Sequence, residues 1–307
     1  MADALPSVPA VPDARTAVAA LVAVQVIFGT FAFVGKIALV ELSPFALAAL
    51  RVAGAGAILA ALACHRSGLA LARKDVAAFF VLAMLGIAVN QLLFLQGLSL
   101  TTAVDATVLV STIPAFTLGV AIAGGRETAS RGKLVGVALA FTGVLVLVGG
   151  AAVGQGSLLG NVLVAANALS YSLYLVFSRP YLARYDPLTV VAWTFLFGAV
   201  VMVPLGVPDL AATDLSALSA ATWAAVAYIV LFPSVVTYYL NNWALRRLPS
   251  STVASYVYLQ PLVAAALAVP ILGEPVTAFT LAAGLAIVGG IWVAQGARLP
   301  RRLAAVR

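Results

Sequence analysis

The chain has 307 residues, of which 64% are hydrophobic and only 9% charged, and its mean hydropathy is +1.12. Soluble domains carry about 25% charged residues, and a chain of this length has too little interior to hide so much apolar surface, so lipid must be the solvent for much of it. The net charge of +7 does not point to nucleic acid, because Lys and Arg are scattered in short loops and build no basic face.

In chain order, residues 1–15 are Pro/Ala-rich and read as a disordered tail without the basic start of a cleaved leader. Ten apolar segments follow, at roughly 16–40, 44–64, 74–98, 102–124, 130–149, 157–183, 186–204, 219–247, 250–270 and 275–296, and a basic tail occupies 298–307. Each apolar segment is predicted to be a membrane-spanning helix, since in lipid every backbone group must find its partner within the segment. The short alternating segments of a β-barrel are absent. With the N-terminus inside, ten spans place 15 of the 17 Lys and Arg residues on the cytoplasmic side, leaving only Lys36 and Arg51 in or near spans one and two. The outer loops carry Glu41, Asp209, Asp214 and Glu274 instead. This asymmetry supports both the count and an N-in, C-in orientation. Cys64 excludes an internal disulfide, and with the sole histidine, His65, it makes no metal site. No cofactor is expected.

Displacing the chain by 147 residues superposes Leu98 on Leu245, Pro114 on Pro261, Glu127 on Glu274, Leu134 on Leu281, Gly143 on Gly290 and Gly149 on Gly296. A displacement of 143 superposes Phe28 on Tyr171, Phe31 on Tyr174, Lys36 on Arg179 and Pro44 on Pro187. Apolar helices resemble one another by composition, but a Pro, a Glu 13 residues later and a Gly 16 beyond that, in both halves, indicate duplication. The fold predicted is therefore all-α, with ten transmembrane helices in two five-helix repeats, 16–150 and 157–297. Five is odd, so the second repeat is inverted, an arrangement common in secondary transporters with a site between the halves near the midplane.

At these residues the sequence resembles the drug/metabolite transporter superfamily, in its ten-helix EamA branch. The resemblance rests on Phe28-Gly29, Lys36, Leu42-Ser43-Pro44, Arg51, Gly97-Leu98, Thr101-Thr102-Ala103, Pro114 and Arg126-Glu127 in the first half. The second half supplies Asp186-Pro187, Ala244-Leu245, Pro249-Ser250-Ser251, Pro261, Gly273-Glu274-Pro275 and Gly284 with Gly290. Phe28 stands where the family often has Trp, and Gly125-Arg126-Glu127 lacks the apolar-Gly-Glu order of Leu272-Gly273-Glu274. The resemblance implies a ten-helix fold in a bacterial inner membrane and transport of metabolites, often export of amino acids or related compounds, with aromatic and neutral ones foremost.

Polar residues inside spans are costly and usually face the bundle interior. The candidate substrate-binding set is Gln25, Phe28, Phe31 and Lys36 in span one, Asn90, Gln91 and Phe94 in span three, and Tyr171 and Tyr174 in span six, on a face shared with Asn167 and Ser178. Tyr238, Asn241 and Asn242 in span eight and Tyr258 and Gln260 in span nine complete it. Amides suit a zwitterion and aromatic faces an apolar side chain or a cation, whereas the plain alternative is interhelical hydrogen bonding. Lys36 and Arg51 could attract a carboxylate, snorkel to headgroups, or pair with Glu41 or Asp105. Pro114 and Pro261 are candidate hinges or static kinks. Glu127 and Glu274 read as helix-start residues of spans five and ten. These two spans, rich in glycine, are expected at the periphery, where small residues could also join protomers. No carboxylate sits plainly at the midplane, so facilitated diffusion or weak proton coupling is expected, with Asp105 the nearest proton carrier. The expected partners are a small-molecule substrate and membrane lipid. A channel lacks a charged ring, and a membrane enzyme lacks a catalytic cluster.

Overall fold

The computed structural model describes residues 14–101, 103–148, 157–263, 266 and 278–294. Among these, every regular element is helical, and seven helices are long and apolar enough to cross a membrane. They correspond to spans one to four and six to eight: Thr16–Ala38, Pro44–Arg66, Arg73–Leu100, Asp105–Ala123, Leu158–Leu182, Pro187–Ala212 and Ala220–Leu245. The segments predicted as spans five and ten contain the helices Arg131–Val148 and Ala278–Ala294. Span nine begins as Ser250–Ser255 followed by a 3₁₀ turn, Tyr256–Tyr258. Residues 1–13 of the expected N-terminal tail, the basic tail, Gly149, Glu274 and the outer part of span nine lie outside the described residues, while Ala14 and Arg15, expected in the tail, already belong to the helix of span one.

Helix starts follow the expected chemistry. Ser43, Ser157, Asp186 and Ser219 each accept a backbone N–H of the first turn, and Pro44 and Pro187 sit where no helical donor is needed. Span seven corrects the sequence reading. Its helix runs to Ala212, through Pro204 and Pro208, rather than ending at 204, and carries Asp209 in its last turn rather than in a loop. Gly206 lets it approach span two so closely that a Cβ there would stand 2.4 Å from the Ala49 Cβ. Asp209 also accepts a hydrogen bond from the Ser43 hydroxyl, so packing against span two holds the helix together past its prolines.

Equivalent helices of the two repeats run antiparallel, as inversion requires. In spans two and seven, Gly206 lies against Ala49 and Phe45 while Gly56, further along span two, lies against Phe195, earlier in span seven. In spans five and ten, Gly136 meets the Ala294 backbone and Gly290 meets the Ala140 backbone. Small residues thus let these two helices pack against each other, with Tyr258, Ile287 and Ile291 buried at the seam. Gly136 and Gly290, two of the glycines that could have joined protomers, are used within the chain.

The irregular segments are repeat-related too. Span three carries a π-helical turn, Met84–Ala88, and span eight carries another, Val230–Val236, one repeat of 147 residues away. Such turns unsettle the helical ladder and gather at functional sites. Span four is broken at Ser111-Thr112, between Ala103–Val110 and Ile113–Ala123. The same displacement carries that break onto Tyr258-Leu259, at the end of the 3₁₀ turn in span nine. Pro114 is therefore not a mid-helix kink. It occupies the first turn of a new helix, where its missing N–H costs little. Pro261 is buried and helical, just beyond the equivalent irregularity.

Candidate substrate site

Where the repeats meet, the helices enclose a cavity with about 820 Å³ of empty space, part of it continuous with solvent. Spans one, two, three, four, six, eight and nine all contribute to its wall, so both repeats do. Spans five and ten contribute no described lining residue, in keeping with a peripheral place.

Ten of the candidate residues line the cavity: Gln25, Phe28, Phe31, Asn90, Gln91, Phe94, Tyr171, Tyr238, Asn241 and Gln260. Their polar groups are tied across the seam. Gln91 and Tyr238 are repeat equivalents, and the Gln91 amide donates to the Tyr238 hydroxyl at 3.1 Å. That hydroxyl donates in turn to the Gly86 carbonyl, in the π turn of span three, at 2.9 Å. Asn90 and Asn167 exchange bonds, each side-chain amide donating to the other's carbonyl at 3.2 and 2.9 Å. Gln260 donates to Gln25 at 2.7 Å and Asn241 to the Tyr171 hydroxyl at 3.0 Å. Phe28 and Tyr171 meet the Tyr238 ring edge-on at 6.3 Å, and Phe31 stacks on Phe94 at 5.1 Å.

Four candidates lie elsewhere. Tyr174 packs behind Tyr171, fully buried, and donates to Asn242 at 3.0 Å. It fits because position 86 is glycine, where a Cβ would stand 2.5 Å from the Tyr174 ring. Asn242 donates to the Tyr238 backbone carbonyl and so supports the wall from outside. Tyr258 donates to the Val137 carbonyl at 3.2 Å, toward span five. Lys36 donates to the Thr101 carbonyl at 2.9 Å, just past the C-terminal end of span three, where a cation offsets the helix dipole. A stripe at helical spacing is wider than the cavity it faces, so its flanking members pack against neighbouring helices instead.

Arg51, which the sequence left open between attracting a carboxylate, snorkelling and pairing with Glu41 or Asp105 and kept out of the binding set, stands in the cavity wall at 1% exposure. Its Nε donates to the Ser234 hydroxyl at 2.7 Å, Nη1 to the Gln91 side-chain oxygen and Nη2 to the Pro233 carbonyl at 3.3 Å. The guanidinium lies 4.4 Å over the Phe31 ring. Pro233 has no N–H, which releases the Ile229 carbonyl, and Ser234 satisfies it at 2.7 Å while accepting from Arg51. The available signal was the residue itself: an arginine eight residues into an apolar span is a functional candidate by default. Asn167 also lines the cavity, on the face already recognised in span six.

Ties between the halves flank the cavity. Glu127 does not start span five, whose helix begins at Arg131. Its carboxylate accepts from the Ser251 N–H at 3.1 Å and the Ser251 hydroxyl, and pairs with Lys133 at 2.5 Å. Burial alone would raise its carboxyl, but the hydrogen bonds from Lys133 and Ser251 outweigh that and hold it below its ordinary value, so it stays charged through neutral pH. Asp75 pairs with Arg184 at 2.9 Å and accepts from Tyr185 at 2.6 Å. Glu41 accepts from the Ser219 N–H at 2.9 Å, not from Lys36 or Arg51.

Two antiparallel helical repeats around a seam cavity with irregular helices in its wall define a membrane transporter of the two-repeat class. The EamA-like transporter family matches the chain twice, over residues 15–149 and 158–295, and the chain belongs to that family. An "Uncharacterized transporter" of Archaeoglobus fulgidus is 30% identical over 269 residues, covering 86% of this chain and 92% of its own. The "Uncharacterized transporter YetK" of Bacillus subtilis is 28% identical over 280 residues (89% and 84%). The "Uncharacterized inner membrane transporter YedA" of Escherichia coli K12 is 28% identical over 287 residues (90% of each). A solved crystal structure with 22% identity matches 95% of this chain and 100% of its own with a TM-score of 0.75, which shows the fold.

Proposed function

We propose that the protein is a secondary transporter that moves amino acids, aromatic and neutral ones first, across a bacterial inner membrane by alternating access, in the direction of export, with ten spans and both termini cytoplasmic. The seam cavity carries this reading. Both repeats build it, amides and hydroxyls supply donors and acceptors, and aromatic rings supply apolar walls. Repeat-related breaks in spans four and nine give the wall places to bend, with Pro114 and Pro261 fixing one edge of each break. The relative named as an inner-membrane transporter supports the location. No Asp or Glu is among the described lining residues, which favours facilitated diffusion or weak proton coupling.

The test is counterflow in liposomes holding the purified protein, with radiolabelled amino acids offered against an unlabelled internal pool. The expected result is transient accumulation of phenylalanine or a neutral amino acid. Counterflow of nucleosides or vitamins without amino acids would refute the substrate class. Uphill accumulation driven by an imposed pH gradient would refute facilitated diffusion.

A further inference from the structure

Among the described residues that line the cavity, Arg51 is the one charged side chain. All its protein contacts there are neutral: the Ser234 hydroxyl, the Gln91 amide oxygen, the Pro233 carbonyl and the Phe31 ring. A guanidinium has five N–H donors in a rigid fork. Three go to these acceptors, which leaves two without an acceptor among the described residues. No described carboxylate lies within ion-pair distance of it. A buried cation inside a span normally pairs with an Asp or Glu on a neighbouring helix, because an uncompensated charge at that depth is costly. Here no such partner is found among the described residues, and Arg51 itself lines the cavity.

We infer that Arg51 is the anion anchor of this transporter, and that its substrates are carboxylates: monoanions or zwitterions with an apolar body, rather than amines or quaternary cations. The inference rests on the seam cavity being the transport site and adds the substrate class. Two further features agree with it. The fork is held in plane by Phe31 beneath it and by Gln91 and Ser234 at its edges, so little freedom is lost when it grips a carboxylate. The Phe31–Phe94 stack continues from beneath the guanidinium and offers an apolar surface to the rest of the solute. Among the described lining residues, an ammonium group would find only neutral oxygens and ring faces, with Arg51 repelling it.

The test compares matched pairs on the purified full-length protein by calorimetry: L-phenylalanine with L-phenylalaninamide, L-leucine with L-leucinamide, and 3-phenylpropionate with 3-phenylpropanamide, with phenethylamine added. The expected result is about hundredfold tighter binding of the carboxylate member of a pair. Arg51→Gln is expected to bind both members within about threefold, and Arg51→Lys to retain a reduced preference, since it keeps the charge and loses the fork. If Arg51→Gln does not fold, the wild-type comparison still decides. Equal binding of carboxylate and amide, preference for phenethylamine, or binding of none of these probes overturns the anchor. Counterflow that ignores the carboxylate would overturn the anchor and leave the transport reading standing, whereas folded protein that moves no solute at all would overturn the transport reading itself.

Discussion

Tyr238→Ala is expected to abolish transport, and Tyr238→Phe to leave a folded protein with transport reduced by about tenfold or more. The ring is the hub of the cavity wall: Phe28, Tyr171 and Phe195 all meet it edge-on, the last at 5.1 Å. Truncating a buried aromatic to alanine costs about 3–5 kcal/mol and leaves a void, here beside the cavity. The hydroxyl does separate work. It joins Gln91 of one repeat to span eight of the other and satisfies the Gly86 carbonyl in the π turn. Phenylalanine keeps the ring contacts but strands both partners, and Gln91 is also an acceptor for Arg51. Counterflow on variants that elute as folded protein reads the difference. Wild-type transport by Tyr238→Phe would show that the Gln91–Tyr238–Gly86 chain is passive scaffolding.

Gly136→Leu, and separately Gly290→Leu, should lower the melting temperature of the purified protein by roughly 5–10 °C. A Cβ at 136 would stand 2.2 Å from the Ala294 nitrogen, and one at 290 would stand 2.4 Å from the Ala140 nitrogen. The obstacles are backbone atoms, so no side-chain rotation relieves the clash, and spans five and ten must separate. Leucine at Gly289, whose surroundings are open, is the matched control and should melt near the wild type. Equal melting of all three variants would mean that spans five and ten do not cross at these glycines.

The sequence exposed the scaffold because its constraints are one-dimensional. Span length and the recurrence of Pro, Glu and Gly at fixed displacements can be counted along a chain. The cavity was partly legible for the same reason: intramembrane amides such as Gln25, Asn90 and Asn241 tend to face inward, and these do. What stayed hidden depends on neighbours distant in sequence. The Arg51 site is completed by Pro233 and Ser234, some 180 residues away, in a helical turn whose irregularity no periodicity announces. Lys36 looked equivalent to Arg51, yet it reaches a carbonyl beyond the end of span three and stays out of the cavity. Tyr174 shares a helical face with Tyr171, but one turn is enough to move it from the wall into the packing behind it. Span seven outlasted its prolines because span two, Gly206 and the Ser43–Asp209 hydrogen bond hold its far end.

Alternating access through one seam cavity is tested most directly by sided thiol labelling. Cys64 is the sole cysteine, so Cys64→Ala gives a cysteine-free background. Ala254 lines the cavity from span nine, and Ala254→Cys introduces one small thiol there. A membrane-impermeant thiol reagent is then applied to right-side-out and to inverted membrane vesicles. The predicted result is modification from both faces, slowed from both by a transported amino acid. Modification from one face only, whatever solute is present, would contradict it.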